Sequence, residues 1–136
     1  MDKIDSWRGV LRICIAAPLC AFLMGCAAEV IRHPATLKSL EAASGAERRL
    51  VKQDTPVKFT SGFERVIRKD TMWKLVGSIP QGMVYAPADG VFSVEGAHVH
   101  EAYLVVIRGV LVGFYLPVER SFAPLKTVGN VYLWEE

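Results

Sequence analysis

The sequence predicts a mostly β fold: a small antiparallel β-barrel or a compact two-layer sheet, preceded by a short helix or tether. Three observations predict it. Phe, Tyr and Trp are absent between residues 26 and 55, whereas eleven of them fall between Phe59 and Trp134. Large rings are what a small core is built from, so the folded domain is expected to begin near Thr55-Pro56. Beyond that point apolar residues recur with a period of two, between Gly and Pro punctuation. Finally, HVHEAYLVVIRGVLVGFYLP (98–117) places two β-rich runs around Arg108-Gly109, the signature of a tight hairpin in which Gly109 takes positive φ.

Length and composition bound the rest. A chain of 136 residues has room for one domain and a processed or tethering segment. With 51% hydrophobic and 22% charged residues the composition is that of a globular chain. The net charge is +2 with interspersed signs, which argues against a nucleic-acid partner. Arg48-Arg49-x-x-Lys52 and Arg65-x-x-Arg68-Lys69 are short and lack interleaved stacking aromatics, so they read as solvated faces.

The N-terminus reads as a targeting segment. Lys3, Arg8 and Arg12 outweigh Asp2 and Asp5, and no charged residue occurs from Ile13 to Met24. Twelve helical residues reach about 18 Å, short of the roughly 20 residues that span a bilayer core. All three cysteines, Cys14, Cys20 and Cys26, lie in or just after this run. The run ends in Leu23-Met24-Gly25-Cys26. This tetrad resembles the lipobox of bacterial lipoprotein precursors, in which Leu stands at −3 and a small residue precedes the modified cysteine. Met24 departs from the small or β-branched residue preferred at −2.

The resemblance covers residues 1 to 26 only. It implies that residues 1–25 are a signal peptide and that Cys26 receives a diacylglyceryl group and becomes the first residue. It also implies that the chain is held in the bacterial cell envelope by palmitate-class acyl chains. Ala27, where Asp would mark inner-membrane retention, implies the outer membrane, facing the periplasm. An uncleaved signal anchor with an incidental cysteine is the alternative. After cleavage only the acylated thiol remains, so an exported chain has nothing to mispair.

Residues 26–55 are expected to form a tether. Leu37, Leu40 and Ala43 are spaced for one face of a short helix, and Gly45 suits its end. Residues 56–136 are expected to form the β-domain, with six to eight short strands. In MWKLVGSI (72–79), Trp73, Leu75 and Ile79 fall on one face, with Lys74 and Ser78 on the other. GMVYAP and GVFSVEG are bounded strands. Residues 102–107 are apolar on both faces, which places their hairpin centrally. VKFT, FERVI and NVYLW are further strand candidates, and Glu135-Glu136 would discourage edge pairing.

The chemistry-bearing candidates are few. His98 and His100 in VEGAHVHEAY would share one strand face, with Glu101 on the other. A His-x-His pair offers two metal ligands, but three protein ligands are the norm and no third is placed. The plainer alternative is two polar residues where a strand leaves a turn, with Glu101 hydrogen-bonded or paired. Ser61, Ser78, Ser93 and Ser121 lie in no Gly-x-Ser-x-Gly elbow, and no phosphate loop or carboxylate spacing is present, so no catalytic residue, metal or cofactor is nominated. In GFYLPVERSF (113–122), Phe114 and Tyr115 face opposite ways, so one could meet a protein partner; second-layer packing is the alternative.

The expectation is therefore a lipid-anchored envelope lipoprotein, non-enzymatic, docking onto a larger envelope assembly through its β-domain. Its alternative is a periplasm-facing ligand- or metal-binding domain using His98 and His100. A hydrolase would need a buried acid–His pair lining a cleft.

Overall fold

The computed structural model describes residues 28–40, 47–126 and 131–134. Cys26, Ala43, Gly45 and Glu135-Glu136 lie outside them. The described chain is mostly β, organised as a curled antiparallel half-barrel. Its strands are β1 (His33–Pro34), β2 (Lys38–Ser39), β3 (Arg48–Leu50), β4 (Thr55–Lys58), β5 (Glu64–Ile67), β6 (Met72–Ile79) and β7 (Gly82–Pro87). After these come β8 (Ser93–Glu95), β9 (Val99–Glu101), β10 (Tyr103–Ile107), β11 (Val110–Leu116), β12 (Ser121–Pro124) and β13 (Val131–Tyr132). The main sheet runs β1-β12-β11-β10-β7-β6-β2, with β13 added to β11 and β3 added to β6; β4-β5 and β8-β9 form separate hairpins.

The β10–β11 hairpin is central, as its two-sided apolar pattern requires. Arg108 (φ 47°) and Gly109 (φ 73°) make its turn, a geometry that matches the twist of the strands it joins. Leu104, Val106, Phe114 and Leu116 belong to one core, and Val105 and Tyr115 to a second core on the opposite face. The first core is covered by the β4–β5 and β8–β9 hairpins. Phe59 and Phe92 pack on Phe114 there, with ring centroids at 5.0 and 5.8 Å. Phe114 and Tyr115 do face opposite ways, but both are buried, because neither face is left to solvent.

Two bulges reset the side-chain alternation. Leu75 pairs with Tyr85 and Gly77 with Val84, so Val76 is the extra residue in β6. Trp73 and Leu75 therefore enter the first core, whereas Ile79 enters the second, not the face shared with Trp73 that strict alternation predicts. Val112 plays the same role in β11, between Leu111 opposite Val106 and Gly113 opposite Val105. A bulge shifts the alternation by one and increases local twist.

The segment expected to be a tether contributes three strands to the main sheet. His33–Pro34 pairs with Phe122 and Ser121, Lys38–Ser39 with Ser78 and Gly77, and Arg48–Leu50 with Lys74 through Met72. Leu37 to Leu40 is extended rather than helical. Aromatic content misplaced the domain boundary because this segment fills its share of the core with small aliphatic groups. Val30 is 2% and Val51 0% exposed. After residue 54 there are ten strands, more than expected, because several are only two to four residues long.

A chain beginning at residue 27 is expected to unfold in one urea transition, with an m-value of about 1–3 kcal/mol/M. A chain beginning at residue 56 loses Val30, Val51 and the strands on both margins, and should show no cooperative transition. Equal midpoints for the two chains would mean that the N-terminal segment is a tether after all.

Candidate functional site

Among the polar clusters of this domain, one surrounds a buried ionisable side chain and is centred on His100. Strand β9 is short and tucked under the main sheet, with His100 opposite Val94. Its alternation turns Val99 outward, 68% exposed, and His100 inward, 5% exposed. His98 sits in the bend before β9 and is exposed. The two rings meet edge to face at 6.4 Å between centroids, but one is buried and the other is in solvent. The expectation that they share one strand face does not hold, because the strand begins one residue later than the motif suggests. Glu101 faces away from His100 and meets the Tyr103 hydroxyl, whose pKa is raised by burial first and then by the charge and hydrogen bond of Glu101.

Two carboxylates flank the buried ring. Nδ1 of His100 is hydrogen-bonded to Oε1 of Glu119. Nε2 lies 3.4 Å from Oε1 of Glu29, within ion-pair reach but without hydrogen-bond geometry. Glu119 is carried by the turn that joins β11 to β12, where Arg120 takes φ 49°. Glu29 belongs to the N-terminal arm and also reaches Arg32 at 3.4 Å. Since an ionised carboxylate only accepts, Nδ1 is the donor in the bond to Glu119. The buried half of this cluster carries the energetic weight; the Glu29 contact, half in solvent, contributes at most about 1 kcal/mol.

The arm is seated by shape as well as charge. A Cβ on Gly96 would fall 2.7 Å from Cγ2 of Val30 and 3.1 Å from the Ala28 carbonyl oxygen. Only a glycine lets the β8–β9 turn approach the arm so closely. Beyond Val30, the Ile31 N–H donates to Oγ1 of Thr60, and the Ala35 N–H to the carbonyl of Arg120.

A buried acid–His pair is thus present, but it is not joined to a nucleophile. Ser121 is buried, and neither its Oγ nor Nε2 of His100 has a hydrogen-bond partner among the described residues. The serine–imidazole bond that activates a hydroxyl is therefore not formed. A hollow of about 480 Å³ is lined by Lys52, Gln53, Tyr132, Leu133 and Trp134 and includes none of these groups. Among the described residues no three His, Cys, Asp or Glu side chains are placed to hold a metal ion, and no helix is long and apolar enough to cross a membrane. Glu29 and Glu119 were not legible as partners of His100. They lie 71 residues before it and 19 after it, and no local spacing links them.

No protein-family model, curated protein or solved structure matches the chain. Its class is given by its fold: a mostly β domain built on one curled antiparallel sheet.

Two outcomes follow from the geometry. His100→Ala and Glu119→Ala should each cost about 1–3 kcal/mol, since either leaves a buried polar group without its partner. The double variant should lose less than the sum by at least ~0.5 kcal/mol. Strict additivity in urea denaturation would show that the two residues are not coupled. Separately, Glu101→Gln should lower the Tyr103 phenol toward its ordinary value, read by absorbance titration. The sign is that of an acid held protonated by the fold. Its stabilising contribution is full below the unfolded phenol pKa, about 10, and is lost as pH rises through the folded one. Replacing Glu101 should shrink that alkaline loss; an unchanged Tyr103 titration would exclude the pairing.

Proposed function

We propose that this protein is a lipoprotein of the bacterial envelope, held by acyl chains on Cys26, whose β-domain is a non-enzymatic accessory subunit docking onto a larger envelope assembly. The observation that carries the reading is Leu23-Met24-Gly25-Cys26 at the end of a charge-free run too short to span a bilayer. The placement facing the periplasm at the outer membrane follows from Ala27 after the modified cysteine. Two or three acyl chains on one cysteine make a firm anchor, each buried methylene contributing about 0.8 kcal/mol.

The non-enzymatic part of the reading is supported by what the convergent polar groups do. His100 and Glu119 are engaged with each other, and Glu29 brings the N-terminal arm to them. That is a fastening use of an acid–imidazole pair, and it ties the segment that follows the anchor to the body of the domain.

The test is expression of the full chain with its own signal in a bacterium fed labelled palmitate, beside Cys26→Ser, with crosslinking in intact cells. The wild type should take up label, lose residues 1–25 by mass, and capture defined envelope proteins. Equal labelling of Cys26→Ser would sink the anchor. An acylated chain that captures nothing would sink the docking role.

A further inference from the structure

Resting on the lipid-anchor reading, we infer that the domain lies against the bilayer surface in one orientation, with the corner that carries Val99, Val118 and Ile31 seated in the lipid headgroup region. The inference starts from chain length. Two Cα steps separate Cys26 from Ala28, a reach of at most about 7 Å. From Ala28 onward the arm is held: Ala28 and Val30 lie on Gly96, Val30 is 2% exposed, and Glu29 meets His100. No long spacer remains to let the domain stand off or tumble. Whatever surrounds the arm at this point must face the lipid.

Three exposed apolar side chains lie on the arm and the segments beside it. Val99 adjoins His100 on the outward face of β9, and Val118 adjoins Glu119 at the tip of the β11–β12 turn. They are 68% and 76% exposed, among the most exposed large apolar side chains described. Ile31, 54% exposed, follows the buried Val30 on the arm itself. Glu29, Arg32, Glu119 and Arg120 share the corner and balance in charge, so apolar insertion rather than attraction to anionic lipid drives the contact. Met83 and Ile107 give an internal contrast. They flank the opposite end of the sheet, at the β6–β7 and β10–β11 turns, about 20 Å away along β11. The same anchor that brings Val118 to the membrane holds them away from it.

Single-cysteine variants test this, because cleavage at Cys26 removes Cys14 and Cys20 and acylation occupies the remaining thiol. Val99→Cys, Val118→Cys, Met83→Cys and Ile107→Cys would be labelled with an environment-sensitive fluorophore in the acylated full-length product. Acylation would be checked by mass, and the proteins reconstituted on vesicles of phosphatidylethanolamine and phosphatidylglycerol. The expected result is a blue shift and protection from an aqueous quencher at positions 99 and 118, with neither at 83 and 107. Acylated protein that floats with the vesicles but leaves all four positions open to quencher overturns the orientation alone. Protection at 99 and 118 in native envelopes but not on vesicles assigns the corner to a protein partner and overturns the lipid contact. Product that is neither acylated nor vesicle-bound overturns the anchor and the orientation together.

Discussion

Closure of the sheet by residues 33–39 is the constraint on which the rest of this structure depends. The segment pairs with β12 through His33 and Pro34 and with β6 through Lys38 and Ser39, strands at opposite margins of the sheet. Four Cα steps from Pro34 to Lys38 span at most about 14 Å. Laid flat, the six strand spacings between β1 and β2 would cover roughly 29 Å. The sheet therefore cannot be flat. Strand twist supplies the curvature, and the bulges at Val76 and Val112 add to it. Ala35 and Leu37 then close over Val84, Val105, Tyr115 and Phe122 to make the second core.

The opposite face is closed along the other diagonal. β3 extends β6 at the end where Trp73 meets Pro87, and β13 extends β11 at the far end, beside Gly109. The Lys52 N–H then donates to the Leu133 carbonyl, and Trp134 packs edge-on against Tyr85 at 5.0 Å. A saddle-shaped sheet curves toward opposite faces along its two diagonals, so two bridges on opposite faces follow from one twist. The first core gains Val51 and Leu133 from this bridge, while the β4–β5 and β8–β9 hairpins cover what remains.

The sequence disclosed the parts of this plan that rest on local chemistry. Alternation marked β6, bounding turn residues marked β7, and two β-rich runs around Arg108-Gly109 marked β10, β11 and the central turn, because these signals are written within a few residues. The closing strand was not legible. HPATLKS alternates only over Ala35 to Lys38, too briefly to mark a strand, and it pairs because β12 and β6 offer free backbone groups at the right separation. The bulge at Val76 was hidden for a related reason: it is defined by the register against β7, which no residue within β6 discloses. At the site, the His98-x-His100 spacing drew attention to the right hairpin, but the working partners of His100 come from the arm and from a distant turn. Long-range convergence of that kind is a product of topology.

In the proposed lipoprotein, anchor and closure occupy one continuous stretch. Val30 belongs to the first core, and five residues later Ala35 belongs to the second, so the N-terminal arm passes directly into the strand that holds the sheet curled. This gives the domain, whose described residues hold no cysteine, a source of stability other than disulfides. Covering both faces of one sheet buries apolar surface twice per strand, as Leu104 with Val105 and Phe114 with Tyr115 illustrate. Under the proposed export, a disulfide would require further thiols in the mature chain, and those would compete with Cys26 in an oxidising compartment. On the proposed reading, stabilisation by topology leaves Cys26 as the sole thiol after cleavage, free to carry the lipid.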